Sequence, residues 1–465
     1  MSDKGDPRSL LAEWLGAAGL EPALTERVSF EGSDPVFRTP YRVGTAGAVA
    51  LAAVGVAVSR LWLLKTKRNQ DVAVAVRAAA AAMRSAYYLK IDGQAPKQIW
   101  DPLSGYYPVK DDRWVSIHCN FANHRDAAMG VLGNPKDRAS AEAASSGWDG
   151  LALEDAIHAA RGCAGLARTA EEWATHPHSA AVARQPLLEI LKIGDSKPEP
   201  LPSGPRPLTG IRVLDLTRVL AGPTCARTLA EHGADVLKIS GAHLPDSGPA
   251  EFDTGIGKLQ AHLDLRTPQG VQMLRGLLKD GDVFSQSYRP GTLAARGFSP
   301  EEAAQLRPGI VYVTLSAWGS EGPWRDRRGF DSIVQTVSGM AYRQSRDTPD
   351  PRKPRLLPVS VIDYVSGYLM AFGALAALQR RAIEGGSWLV RVSLARTGKW
   401  IVDQGLVGDV ASVPVELPQE ELQKLLTQTK YYTHLKPVLQ LSETQPFWAR
   451  PPAPLGSHPA AWPEP

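Results

Sequence analysis

Between Ile211 and Ser316, short apolar runs alternate with amphipathic stretches, and few folds accommodate that rhythm. IRVLDL at 211–216 reads as a strand. Gly222-Pro223 then opens a helix through TCARTLAEHG, and Gly233 ends it. DVLKI at 235–239 is the next strand. Thr267-Pro268 starts a second helix ahead of a strand at 282–285, and a helix over 300–306 leads into IVYVTLS at 310–316. Strands joined by helices lie parallel, with helices covering both faces of the sheet. The predicted class is therefore α/β, a parallel Rossmann-like sheet covered by helices. No GxGxxG follows the first strand, so the dinucleotide-binding version of that architecture is unsupported.

The chain ahead of this region has a different texture. Residues 196–206 (SKPEPLPSGPR) are too rich in proline for a helix or an inner strand and read as a linker. Residues 101–195 read as a smaller α+β domain. It has a hairpin turning at Asp111-Asp112, and Thr169 caps a helix with acidic residues in its first turn. Residues 1–100 read as a helical region, with a helical hairpin over 43–95. Residues 207–400 form the large domain, and 401–465 an extended Pro-rich tail. One internal repeat is visible: residues 43–76 parallel 361–394, each a small-residue helix, a basic break and an alternating strand. Setting Gly55 against Gly373 places Thr45 opposite Asp363, so the first copy lacks the acid.

Composition excludes several function classes. At 465 residues, 43% apolar and 22% charged, the chain is globular and long enough for two or three domains. A net charge of +4 gives no argument for nucleic acid. Cys119, Cys163 and Cys225 stand far apart, which supports neither a disulfide framework nor a zinc site and fits a reducing, cytoplasmic setting. His176-Pro-His178 reads as a surface turn, leaving no metal site. MSDKGDPRSL does not read as a secretory signal. The apolar segment 44–64 is interrupted by Arg60, so a buried core helix is expected there and no membrane partner.

Residues 207–394 resemble the family III CoA-transferases, the group of formyl-CoA and carnitine CoA-transferases. The stretches that carry the resemblance are PLTGIRVLDLTRVLAGPTCARTLAEHGADVLKI, GKLQAHLDL, SYRPGTLAARGFSPEEAAQLRPGIVYVTLSAWGSEGPW and GFDSIVQTVSGMA, in order and spacing as well as content. YYPVKDDRWVSI and RTAEEWATHP resemble the family's small domain, here placed before the large one, the reverse of the usual order. The resemblance implies that CoA moves between an acyl-CoA and a carboxylic acid through an aspartyl-CoA intermediate on Asp363, in VSVIDYVSGYLMAFG. It implies no metal or redox cofactor, with the CoA thioester as substrate, and a homodimer. A first-turn position is expected to keep Asp363 ionised and to supply donors for an oxyanion. Gly367 and Gly373 would permit close approach of backbone or acyl group. For CoA, the resemblance points to Ser287, Tyr288 and Arg289 on the adenine and ribose side, and to Lys258 at the phosphates. Arg218 is a further basic candidate, and Arg296 stands beside Ala295, where a basic residue is expected. The sequence departs from the family at Ser287, where Asn is common, and at Ser240-Gly241, where an acidic and a basic residue are usual.

Two other readings compete. An alpha-methylacyl-CoA racemase shares the scaffold, but its histidine position is Phe330 here, and phenylalanine carries no proton. A non-catalytic CoA-binding or scaffold protein would account for the altered contact positions and the degenerate first repeat.

Overall fold

The computed structural model describes residues 4–95, 100–245, 248–346 and 348–463. At its centre is a seven-stranded sheet. In chain order its strands are β1 (Glu189–Gly194), β2 (Arg212–Leu216), β3 (Asp235–Ser240), β4 (Lys258–His262), β5 (Val283–Gln286), β6 (Val311–Ser316) and β7 (Ser387–Ser393). They lie side by side in the order β4-β3-β2-β5-β6-β7-β1. β2 through β7 run parallel, and β1 is antiparallel to β7.

Successive side chains of a strand point to opposite faces, and the core divides accordingly. Val213, Val236, Val313 and Val390 enter one apolar cluster, while Leu214, Leu237, Tyr312 and Leu389 enter the other. This explains strands that read as continuous apolar runs, because both faces are covered. Helices Pro268–Lys279 and Pro300–Leu306 cover the second face. The first face carries α1 (Val43–Thr66), α2 (Ala221–Glu231) and α3 (Val361–Glu384), with α3 packed between the other two. Gly367 permits the α2–α3 contact, because a Cβ there would lie 2.4 Å from the Ala221 carbonyl oxygen. Gly373 instead faces the side chains of Val390 and Leu188, and neither glycine faces the cavity described below. Both α1 and α3 are long and apolar enough to cross a membrane, yet their apolar windows are 78% and 100% buried inside the protein.

Three expectations need correction. Residues 43–95 are not a helical hairpin: after α1 the alternating Val72–Ala75 forms a strand parallel to Val28–Glu31, and only a short helix, Val76–Ala82, follows. β-branched residues at every second position favour that pairing over a second helical arm. His176-Pro-His178 is not a surface turn. His176 caps the helix Pro177–Arg184, and fully buried His178 bonds the Trp318 carbonyl through Nε2 at 3.0 Å while its Nδ1 accepts from Trp324 N at 3.2 Å. That pair of bonds draws the loop after β6 onto the smaller unit. The segment 401–465 is also more than an extended tail, since it holds helix Gln419–Leu425 and three short strands. One of these, Gln440–Leu441, pairs with Val72–Ala75.

The smaller unit follows its sequence closely. Strands Gly105–Val109 and Arg113–Ile117 form the expected hairpin, with Asp111 and Asp112 both at positive φ in its turn. Thr169 and Glu172 make a reciprocal capping box at the next predicted helix. Residues 196–206 contain no helix or strand. Just ahead of them, β1 joins the central sheet as an edge strand that no periodicity in the sequence announced.

Candidate active site

The strand order runs outward in opposite directions from β2 and β5, so a crevice opens beyond their carboxyl ends, where open α/β sheets bind ligands. A cavity of about 360 Å³ occupies this position. Its floor comes from the loops after β2 (Arg218, Val219, Leu220) and β5 (Ser287, Tyr288, Arg289) and from the end of β6 (Ser316) with the following Ala317, and Asp363 of α3 lies in its wall. Val219 turns the chain from β2 into α2 at φ 73, a conformation a β-branched residue rarely adopts. Such strain, of order 1–3 kcal/mol, is retained where the surroundings over-determine it.

Asp363 occupies the third position of α3 and is 8% exposed. It does not cap its helix. That task falls to Asp331, whose Oδ2 accepts from Ile362 N at 2.9 Å and Asp363 N at 3.0 Å. Asp331 is in turn held by Gln335 Nε2 at 2.5 Å, and Gln335 Oε1 accepts from Leu357 N at 2.8 Å. The electrostatic expectation for Asp363 is therefore reversed. Burial, and then the neighbouring Asp331 carboxylate, push its pKa well above the usual carboxylate range, and burial raises Asp331 to about 6. A helix N-terminus contributes only about 0.3–1 kcal/mol at an ordinary site, less than these two effects. The two first-turn amides that might have met an oxyanion already serve Asp331.

Among the described residues lining this cavity Asp363 is the only carboxylate, and it is accompanied by five arginines: Arg218, Arg289, Arg325, Arg327 and Arg328. Arg218 lies 5.2 Å from the Phe121 ring centre, hydrogen-bonds the Pro245 carbonyl, and its backbone N–H donates to Ser287 Oγ at 3.2 Å. Burial and nearby Arg289 lower the pKa of Arg328. The opposite wall comes from the smaller unit as Phe121, Asn123 and His124. Phe330 packs there, stacked on His118 at 3.9 Å between centroids and near-parallel to Phe121 at 5.9 Å. Burial first, then Arg328, Arg218 and Arg289, lower His124 to about 4, so it is neutral at physiological pH.

Of the sequence-predicted contacts, Arg218, Ser287, Tyr288 and Arg289 come together with Asp363 around this cavity. Arg296 lines an adjoining cavity of about 180 Å³ that shares Leu244, Tyr288 and Thr292 with the first. Its guanidinium donates to the carbonyls of Leu265 and Thr292. Lys258 does not reach either cavity. It is 1% exposed, its Nζ lies 2.7 Å from Asp215 Oδ2, and it also donates to the Pro223 carbonyl at 2.8 Å. Its position at the start of β4 points the amine under α2, where Asp215 of β2 supplies the counter-charge. Sequence reasoning missed Asp331, Arg328 and the aromatic wall. The basic run in RDRRGFD was a usable signal for the first two. Nothing local marked Phe121 or His124, because only the docking of the smaller unit brings them to the cavity.

Two stretches of the chain, residues 23–197 and 208–456, match the family model described as CoA-transferase family III. The chain belongs to that family. Among its relatives, the acetyl-coenzyme A transferase nodX of Hypoxylon pulicicidum is 37% identical over 208 residues, 43% of this chain and 35% of that one. The succinyl-CoA–D-citramalate CoA-transferase of Chloroflexus aurantiacus is 34% identical over 202 residues, 41% and 50% of the two chains. An acyl-CoA transferase of Gibberella moniliformis is 27% identical over 418 residues, 80% of this chain and 73% of that one. A crystal structure of Rv3272 from Mycobacterium tuberculosis aligns with 31% identity over 43% of this chain and 58% of that one, at a TM-score of 0.39. This family III chain thus spans half or less of the length of several curated relatives it matches.

Proposed function

We propose that this protein transfers CoA from an acyl-CoA thioester to a carboxylic acid, with Asp363 as the covalent carrier. An oxygen of the Asp363 carboxylate attacks the thioester carbonyl. The C–S bond breaks, leaving a mixed anhydride and CoA thiolate. The thiolate attacks the aspartyl carbonyl of that anhydride and expels the donor acid as its carboxylate, which leaves an aspartyl-CoA thioester. The acceptor carboxylate repeats the two steps in reverse, forming a new acyl-CoA and freeing Asp363. No net proton is consumed, and the route calls on no metal or redox cofactor. A carboxylate is a weak nucleophile, and its attack depends on being held against the carbonyl.

The observation that carries this reading is a carboxylate, the only one among the described lining residues, set among arginines in a cavity at the carboxyl edge of the sheet. Phe330 stands at the racemase histidine position and carries no proton, so a racemase reading would have to use His124 on the same wall as its second proton carrier. Incubation with a panel of acyl-CoAs without acceptor, trapping with hydroxylamine, and peptide mass spectrometry should find the modification on Asp363. CoA binding without an adduct from any donor would instead support a non-catalytic CoA-binding protein.

The arginines suit the phosphates of CoA and the carboxylate of an acceptor. Arg328→Ala should raise KM for the acyl-CoA by about 10- to 100-fold, the loss expected for one charge-assisted hydrogen bond. It should also flatten the dependence of KM on ionic strength. Steady-state kinetics at two salt concentrations would check both. An unchanged KM would remove Arg328 from the binding role.

A further inference from the structure

The repeat seen in the sequence is a repeat in three dimensions. α1 and α3 have the same 24-residue length, and one unbroken register sets Val43 against Val361, Val72 against Val390, and Val76 against Leu394. At the second of these positions each copy has a strand running parallel to an earlier one. At the third a new helix begins, Val76–Ala82 in the first copy and Leu394–Asp403 in the second. The hydrogen bonding at the helix start is also duplicated. Asp34 accepts from Gly44 N at 3.0 Å and Thr45 N at 2.7 Å, as Asp331 accepts from Ile362 N and Asp363 N. Burial raises the pKa of both capping acids. The first copy has therefore kept the acid that holds the helix and has Thr45 where the reactive carboxylate would stand. Thr45 is itself buried, 4% exposed. The two family matches, 23–197 and 208–456, separate the same two copies.

The copies pack against each other through α1 and α3. An element meeting its own copy across an interface is the geometry of a symmetric dimer, here made within one chain. The cavity spans that boundary. Phe121, Asn123 and His124 belong to the first match, and Asp363, Arg218, Arg289 and Phe330 to the second. Bonds from Tyr106 OH to Thr336 Oγ1 at 2.9 Å and from Ser85 Oγ to Asp253 Oδ2 at 2.7 Å cross it as well. The apolar window of α3 is wholly buried and offers no face to a second chain.

We infer that this chain is an internal pseudo-dimer: one polypeptide supplies both halves of the interface and both walls of a single reactive site, and the second site of the pair is silenced at Thr45. It works as a monomer, in place of the homodimer the family resemblance implies. The smaller unit then belongs to the first copy, which accounts for its place ahead of the large domain.

Sedimentation velocity of the purified chain from nanomolar to micromolar concentration should show one species at the chain mass of 50.1 kDa. A species at twice that mass across the range overturns the inference, whatever the protein's activity. A second test rests on the transferase reading. Asp363→Asn and Asn123→Trp alter opposite walls of the cavity, the second at an exposed position. When the two variants are co-expressed, activity should not exceed the sum of the two measured alone. Activity above that sum, up to about a quarter of wild type for random pairing, would mean that walls are shared between chains and would sink the proposal.

Discussion

Asp363→Asn is expected to abolish the covalent adduct and reduce CoA transfer by on the order of 10³-fold or more, as removal of a covalent nucleophile does, while making the protein more stable at neutral pH. The stability gain follows from the direction in which the fold moves this pKa. Burial and Asp331 raise the folded-state pKa of Asp363 well above its unfolded value. The group's favourable contribution is then fully present below the unfolded value, about 3.9, and is lost as pH rises through the raised one. Above the unfolded value, keeping this carboxyl in its buried site costs stability that grows with pH, about 1.4 kcal/mol for each tenfold weakening of its acidity. Asparagine removes that cost, and α3 keeps its cap because Asp331 supplies it. Thermal melts from pH 4 to pH 8 should show the variant's advantage growing with pH and vanishing in acid. The kinetic counterpart is an acid limb in the wild-type pH–rate profile above the ordinary carboxylate range, since the attacking form is the anion. A variant that is less stable at pH 7.5 would assign Asp363 a structural role instead.

The second large effect is expected far from the chemistry. Lys258→Met should cost about 3–5 kcal/mol of stability, the usual consequence of leaving one partner of a buried ion pair alone. Asp215 and Lys258 are both essentially without solvent access, and Asp215 is further tied to Thr217 N at 2.9 Å and to the Thr217 hydroxyl. Lys238, whose Nζ lies 2.9 Å from Glu251 Oε1, extends the charged layer under the same loops. Chemical denaturation would measure the loss. Adding Asp215→Leu should recover most of it, because replacing both partners with apolar groups removes the stranded charge. A stable Lys258→Met protein with a raised KM for acyl-CoA would place the lysine at the CoA phosphates instead.

The contrast between these two residues marks where local reading of the chain succeeds and fails. Asp363 could be placed because its neighbours carry the pattern: small residues that pack a helix on both sides, and a motif whose order along the chain matches a known family. Its charge state could not, since that depends on burial and on Asp331, thirty-two residues earlier and brought alongside by the fold. Lys258 was misjudged because a lysine after Gly-Ile-Gly looks like a phosphate contact. Whether it faces a ligand or a buried aspartate is decided by which strand lies two places away in the sheet.

By itself the sequence determined the parallel strands β2, β3, β5 and β6, the helices between them, the small hairpin at Asp111-Asp112, and the repeat that ends in Asp363 against Thr45. These depend on periodicity, capping and turn chemistry, which act between residues close in the chain. Only the tertiary structure decided that β1 closes the edge of the sheet, that Asp331 caps α3, and that Phe121 and His124 face Asp363. It also decided that the two copies of the repeat bury each other. Those outcomes come from contacts between distant segments, where burial and charge pairing choose among partners that local pattern leaves equivalent.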